Sequence, residues 1–298
     1  MFRLNFYSRL GVPQDVVFDA PHAFVTSPIF RSPIVFASIR MIIALYTATT
    51  LLVTLIWNAV ILHDAQSYFS FFTYLTYIGL CAYYFAAGVQ TLLYALYWRK
   101  AGAGVGYPLQ RWPKFLQALH VVLHSTVVTF PILVTIVFWA LLSDPATFAS
   151  TFSSWSNISV HALNTVFAAV EILASNSPPP PWLTLPLDFL LLASYLGVAY
   201  ITHATQGIYT YSFLDPKKQG AKLAAYIFGI GVAEVIVFCV IRGVMVLRQR
   251  WAVRSGRVLG GNGEREANIE EGWEEVESPT VAKPSKGGME PDMRVLEA

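Results

Sequence analysis

Six apolar runs, at residues 34–62, 69–97, 115–142, 155–174, 182–204 and 223–247, dominate this chain. Each is long enough to cross a hydrocarbon layer of about 30 Å as a helix. In lipid the backbone must satisfy its own hydrogen bonds, so only helices and closed barrels can span it. None of the runs shows the ten-residue alternation of a barrel strand. The predicted fold is therefore all-α, an integral membrane bundle of six transmembrane helices with a disordered cytosolic C-terminal tail. Composition agrees: 55% of residues are hydrophobic and 13% charged, and the mean hydropathy is +0.52, outside the range of a soluble domain. The fourth run is the shortest and carries Asn157, His161, Asn164 and Glu171.

Lysine and arginine in short loops orient such a bundle. Arg3, Arg9 and Arg31 precede the first span, Arg99, Lys100, Arg111 and Lys114 separate the second from the third, and Arg242, Arg248, Arg250, Arg254 and Arg257 close the last. Both termini are expected in the cytosol, although Lys217, Lys218 and Lys222 weigh the other way, partly offset by Asp215. The choice between endoplasmic reticulum and plasma membrane stays open. Three segments result: a cytosolic N-terminal segment at 1–33, a transmembrane domain at 34–250 and an acidic cytosolic tail at 251–298. From about Gly256 the tail has few apolar residues and a run of glutamates from Glu264 to Glu277, so it is expected to be disordered. Residues 1–33 hold no cleavable apolar core, and the first span reads as a signal anchor.

Cys81 and Cys239 both fall within spans, which argues against a disulfide framework. Residues 175–181 read SNSPPPP, a stiff polyproline link between the fourth and fifth spans. Gly102, Gly104 and Gly106 have neither the preceding strand nor the following GK[ST] of a phosphate loop, and no cofactor is expected. His120 and His124 share one helix face at i and i+4 but lack a third ligand, so no metal site is expected. The basic residues are scattered among loops, which argues against nucleic acid. The partners expected are membrane lipids, with the juxtamembrane arginines favouring anionic headgroups.

Inside the spans, ionisable and polar side chains are costly and suggest function by default. At about 1.5 Å of rise per residue, Thr76 in the second span and His161 in the fourth lie at similar depth, one to two turns below the same face. Asn58, His63, His203, Thr205 and Gln206 gather in that layer, and His120 and His124 lie on the opposite, cytosolic side. Asn157, His161, Asn164 and Thr165 fall on one stripe of an α-helix, so an asparagine can orient the imidazole. Glu171 is about 15 Å further along the axis, too far to hydrogen-bond His161. Glu171, Asp188 and Glu234 are expected to snorkel or to pair across helices, in structural roles. For Thr76 the ordinary role is a bond to its own i−4 carbonyl.

These residues carry a resemblance. Tyr74-Leu75-Thr76-Tyr77-Ile78, Trp155-x-Asn157-x3-His161-x9-Glu171, and His203-Ala204-Thr205 followed by Gly207, Tyr211 and Phe213-Leu214-Asp215 resemble the androgen-inducible membrane proteins. That family includes integral-membrane threonine hydrolases cleaving fatty acid esters of hydroxy fatty acids. The likeness runs from about Ser67 to Tyr226, and the N-terminal segment and acidic tail look like those of a fungal branch. It implies a lipid-ester substrate, Thr76 as nucleophile and His161 as its partner. Where family members often carry a polar residue and a second histidine, this chain has Gly79 and Ile158.

A threonine hydroxyl is a weak nucleophile until a base takes its proton, which a neutral imidazole does well near neutral pH. Asn157, Asn164 and His203 are the candidate supporting residues. The competing class is a non-catalytic multi-pass scaffold or lipid-binding protein. A pore is a third and weaker reading, because no ring of charges lines any span.

Overall fold

The computed structural model describes residues 6–101 and 105–257, and all their regular structure is helical. Six helices are long and apolar enough to cross a membrane: α1 Pro33–Leu62, α2 Phe72–Ala101, α3 Lys114–Leu142, α4 Thr151–Ala174, α5 Thr184–Gln206 and α6 Lys222–Arg254. Every expected span overlaps one of them. An even number of crossings places the start of α1 and the end of α6 on the same face of the bundle. The helix ends follow local chemistry. Pro33 opens α1 with its φ already helical, and Gly207 closes α5 in the left-handed conformation at φ 73°. Helix α6 continues to Arg254, past the expected boundary at 250, with Ala252 buried. The expected disordered tail lies almost wholly outside the described residues.

Helices α1 to α4 form the core, where α1 packs against α2 through Ile43, Ala44, Leu80, Tyr84 and Ala87. Gly88 permits this approach, because a Cβ there would stand 2.7 Å from Met41 Sδ. Helices α5 and α6 bury the smallest share of their residues and stand to one side.

The N-terminal segment is part of the fold. Leu10, Val12, Phe18, Phe24 and Val25 are buried against Tyr94, Tyr107, Leu109 and Val121 at the face where α1 begins. Asp19 anchors the segment by accepting from the backbone N–H groups of Ala23 and Phe24 at 2.7 and 3.0 Å and from the Tyr107 hydroxyl at 2.7 Å.

Arg40, seven residues into α1, is fully buried. It meets the Glu171 carboxylate in a two-pronged pair, Nε to Oε1 at 2.8 Å and Nη2 to Oε2 at 2.7 Å. Its Nη1 donates to the Phe24 carbonyl and to Thr91 Oγ1, and the Tyr83 hydroxyl donates to Glu171 Oε2 at 3.1 Å. One charge pair thus ties α1, α2, α4 and the N-terminal segment together, and the expectation that Glu171 pairs across helices holds. The polyproline link is held from α6, where Arg248 donates to the Ser177 carbonyl and Arg242 to that of Pro180. His124 completes this end through a 3.0 Å contact with Ser177 Oγ.

Candidate active site

At the opposite face, α4 departs from α-helical geometry. Residues Ser159–Leu163 form a π-helical turn, a local widening that recurs at functional sites. The amide of Thr165 turns to Asn164 Oδ1 at 2.7 Å. The carbonyl of His161 is met instead by Thr135 Oγ1 at 2.8 Å and Trp139 Nε1 at 3.3 Å, both from α3.

The widened turn also rotates the stripe predicted for an ideal helix. Asn157 does not orient the imidazole: its amide donates to the carbonyls of Ser153 and Thr147. Asn164 points toward α3, where its amide donates to the Pro131 carbonyl and its Oδ1 accepts from Thr135. His203 stacks on Tyr209 with ring centroids 3.8 Å apart and does not line the cavity described below. None of the three candidate supporting residues therefore contacts the imidazole through a hydrogen bond: Asn157 and Asn164 bond elsewhere, and His203 is held by its stack on Tyr209.

The His161 ring is buried and lies flat on Phe138, centroids 3.7 Å apart and planes 4° from parallel. Its Nδ1 is sealed from solvent without a hydrogen-bond partner. The ring borders a cavity of about 560 Å³ enclosed by α2, α3, α5, α6 and the α5–α6 connection. The walls are almost entirely apolar. Phe228, 76% exposed, and the exposed Val232 and Val235 of α6 border the cavity, so it opens sideways along α6 toward the surrounding lipid. Its polar groups are few: Thr73, His161, Tyr195 and Tyr211.

Thr76 does not border the cavity. Its hydroxyl donates along its own helix, to the carbonyls of Phe72 at 2.9 Å and Thr73 at 3.1 Å. No hydrogen bond joins it to His161. One turn earlier, Thr73 faces the cavity, and the Tyr211 hydroxyl lies 3.4 Å from both its backbone nitrogen and its Oγ1. That amide belongs to the first turn of α2, whose N–H groups have no partner within the helix. Burial pushes the Tyr211 phenol above its ordinary pKa, so it stays a neutral donor at physiological pH. Thr73 lay three positions before the singled-out threonine, and Tyr211 was in the third matching piece, but neither spacing signalled that they meet.

Six apolar helices around a laterally open apolar cavity bordered by a buried imidazole define a polytopic membrane protein. The chain belongs to the FAR-17a/AIG1-like protein family, which matches residues 38–244 and so covers all three sequence pieces. No curated protein and no solved structure matches it.

Proposed function

We propose that the chain is an intramembrane hydrolase of lipid esters, resembling the hydrolases of fatty acid esters of hydroxy fatty acids, with Thr76 as nucleophile and His161 as base. The observation that carries this reading is the His161 ring, clamped by Phe138 at the polar end of a cavity whose apolar flank faces lipid. An acyl chain enters sideways and leaves its ester near the imidazole. Turning the Thr76 side chain about χ1, from one staggered well to another, releases its hydroxyl from the Phe72 carbonyl. Catalytic hydrogen bonds are commonly long or misaligned before substrate binds.

His161 then takes the Thr76 proton as Oγ1 attacks the ester carbonyl. The tetrahedral oxyanion is stabilised in this reading by the Tyr211 hydroxyl and the Thr73 amide beside it, donors held in an apolar setting. Its collapse expels the alcohol, which takes the proton from His161 and leaves acyl-Thr76. Water, deprotonated by the same imidazole, attacks the acyl carbon; the bond to Thr76 Oγ1 breaks, Oγ1 takes the proton back from His161, and the fatty acid leaves. The own-helix bond of Thr76 favours the second reading, a non-catalytic lipid-binding protein.

Fluorophosphonate labelling and ester hydrolysis by Thr76→Ala, His161→Ala and the double variant separate the two. A nucleophile and its base act as one unit, so the three variants should lose activity by similar factors. Thr76→Ser should retain turnover. Full activity in both single variants would remove Thr76 and His161 from the chemistry, and a wild type that neither labels nor hydrolyses would leave the lipid-binding reading standing.

A further inference from the structure

Behind the inner wall of the cavity, two carboxylates from different helices share a pocket that the hydrolase reading does not use. Asp188 of α5 and Glu234 of α6 are both fully buried and close enough to act on each other electrostatically. Their chain neighbours Phe189 and Val235 border the cavity. Among the described residues the only ion pairs are Arg40–Glu171 and Lys218–Asp215, so neither carboxylate has a basic partner. The arginines of α6 are committed elsewhere, Arg242 to the Pro180 carbonyl and Arg248 to Ile172 and Ser177. His124 is held by Ser177.

Hydrogen-bond accounting sharpens the anomaly. Asp188 Oδ1 and both carboxylate oxygens of Glu234 have no partner at hydrogen-bond geometry, although the Thr129 side chain stands beside Glu234. Asp188 Oδ2 shares the single proton of Ser125, which lies 3.0 Å from it and 2.8 Å from Thr184 Oγ1. The neighbouring hydroxyls have spent their protons: Thr184 donates to the Pro181 carbonyl and Thr129 to that of Ser125. Their oxygens still offer lone pairs. The pocket is therefore rich in acceptors and nearly devoid of donors, in a membrane interior where an unneutralised charge is costly. A proton shared directly between the carboxylates would draw their oxygens to about 2.5–2.7 Å, and no hydrogen bond joins them.

We propose that Asp188 and Glu234 bind a hard metal cation, with hydroxyl oxygens of Ser125, Thr129 and Thr184 completing an all-oxygen shell between α3, α5 and α6. Oxygen donors without His or Cys select sodium or calcium over transition metals. Magnesium is disfavoured because it keeps several waters, and both carboxylates are shut off from solvent. The ion would fasten the two least embraced helices to the core beside the cavity. This inference stands independently of the hydrolase reading.

The test is thermal unfolding of the purified full-length protein in detergent, in choline chloride with EDTA and then in sodium, potassium, calcium or magnesium chloride at matched ionic strength. Sodium or calcium should raise the wild-type melting temperature by about 3 °C or more, as expected for a ligand bound only by the folded state. Glu234→Gln and Asp188→Asn should abolish the shift, and the exposed Asp144→Asn should keep it. If a carboxylate variant does not fold, Thr129→Val replaces it and should weaken the cation response several-fold. The proposal is overturned if no metal salt exceeds choline in the wild type, or if the shift survives in the variants. It is also overturned if acidification alone gives the full stabilisation and metals add nothing, because the pair then holds protons.

Discussion

His161 lies against Phe138 in a nearly parallel stack, centroids 3.7 Å apart, and this contact fixes the plane of the imidazole where its own helix widens into a π turn. A base held that way keeps its aim without a polar partner on Nδ1. Phe138→Leu retains apolar volume but removes the flat surface. It should lower turnover by about tenfold to a hundredfold, the range for a misplaced catalytic group, while expression and melting temperature change little. Ester hydrolysis by protein matched for folding checks this, and unchanged turnover would remove Phe138 from the site.

The Tyr211 hydroxyl accepts from the amide of Thr73 at 3.4 Å and, being neutral, keeps its own proton to donate. Tyr211→Phe should reduce kcat by about a hundredfold, the scale for losing one oxyanion donor, with KM nearly constant. Tyr195→Phe, which loses hydroxyl contacts to Ser70 and Thr210, is the control and should change kcat far less.

Gly231 packs beside Phe189 in the cavity wall, where a Cβ would stand 3.3 Å from the Phe189 ring. Gly231→Leu should therefore shorten the acyl chain accepted. Long-chain esters should lose kcat/KM while short-chain esters keep theirs, a ratio read directly from a chain-length series. A uniform loss across the series would instead indicate distortion of the helix pair.

The buried pair of Arg40 and Glu171 predicts an asymmetric response. Glu171→Gln leaves a guanidinium without its counter-charge in lipid and should cost about 3–5 kcal/mol, measured by unfolding in mixed micelles. Arg40→Met combined with Glu171→Leu should recover part of that loss, because no charge is then stranded.

Asp19 gives a pH signature outside the spans. Burial holds its carboxyl up at about 6, against an ordinary 3.8. The folded state therefore binds this proton more tightly than the unfolded chain. That contribution is complete below pH 3.8 and is lost as pH rises through about 6. Wild-type stability should fall between those limits relative to Asp19→Asn, which has no such titration. Parallel stability curves for the two proteins over that range would rule the effect out.

The six spans were legible in the sequence because hydropathy is summed along the chain, and lipid demands helices wherever an apolar run is long enough. Thr76 and His161 were legible as polar residues inside spans for the same reason. Their environment was not. The stripe of Asn157, His161 and Asn164 assumed ideal α-helical spacing; the π turn at Ser159–Leu163 and contacts with α3 that no local pattern encodes set His161 and Asn164, while Asn157 bonds back to Ser153 and Thr147. Arg40 sat unremarked inside an apolar run until Glu171, 131 residues away, was brought against it. The N-terminal segment, in which the sequence showed no packing pattern, buries Leu10, Val12, Phe18, Phe24 and Val25 because Tyr94, Tyr107 and Val121 offer it an apolar floor. Sequence alone determined which segments cross the membrane and which residue types it must shelter. Tertiary packing decided which side chains meet, because distances between helices depend on how each rotates and leans on its neighbours, and those rotations are set by the whole bundle at once.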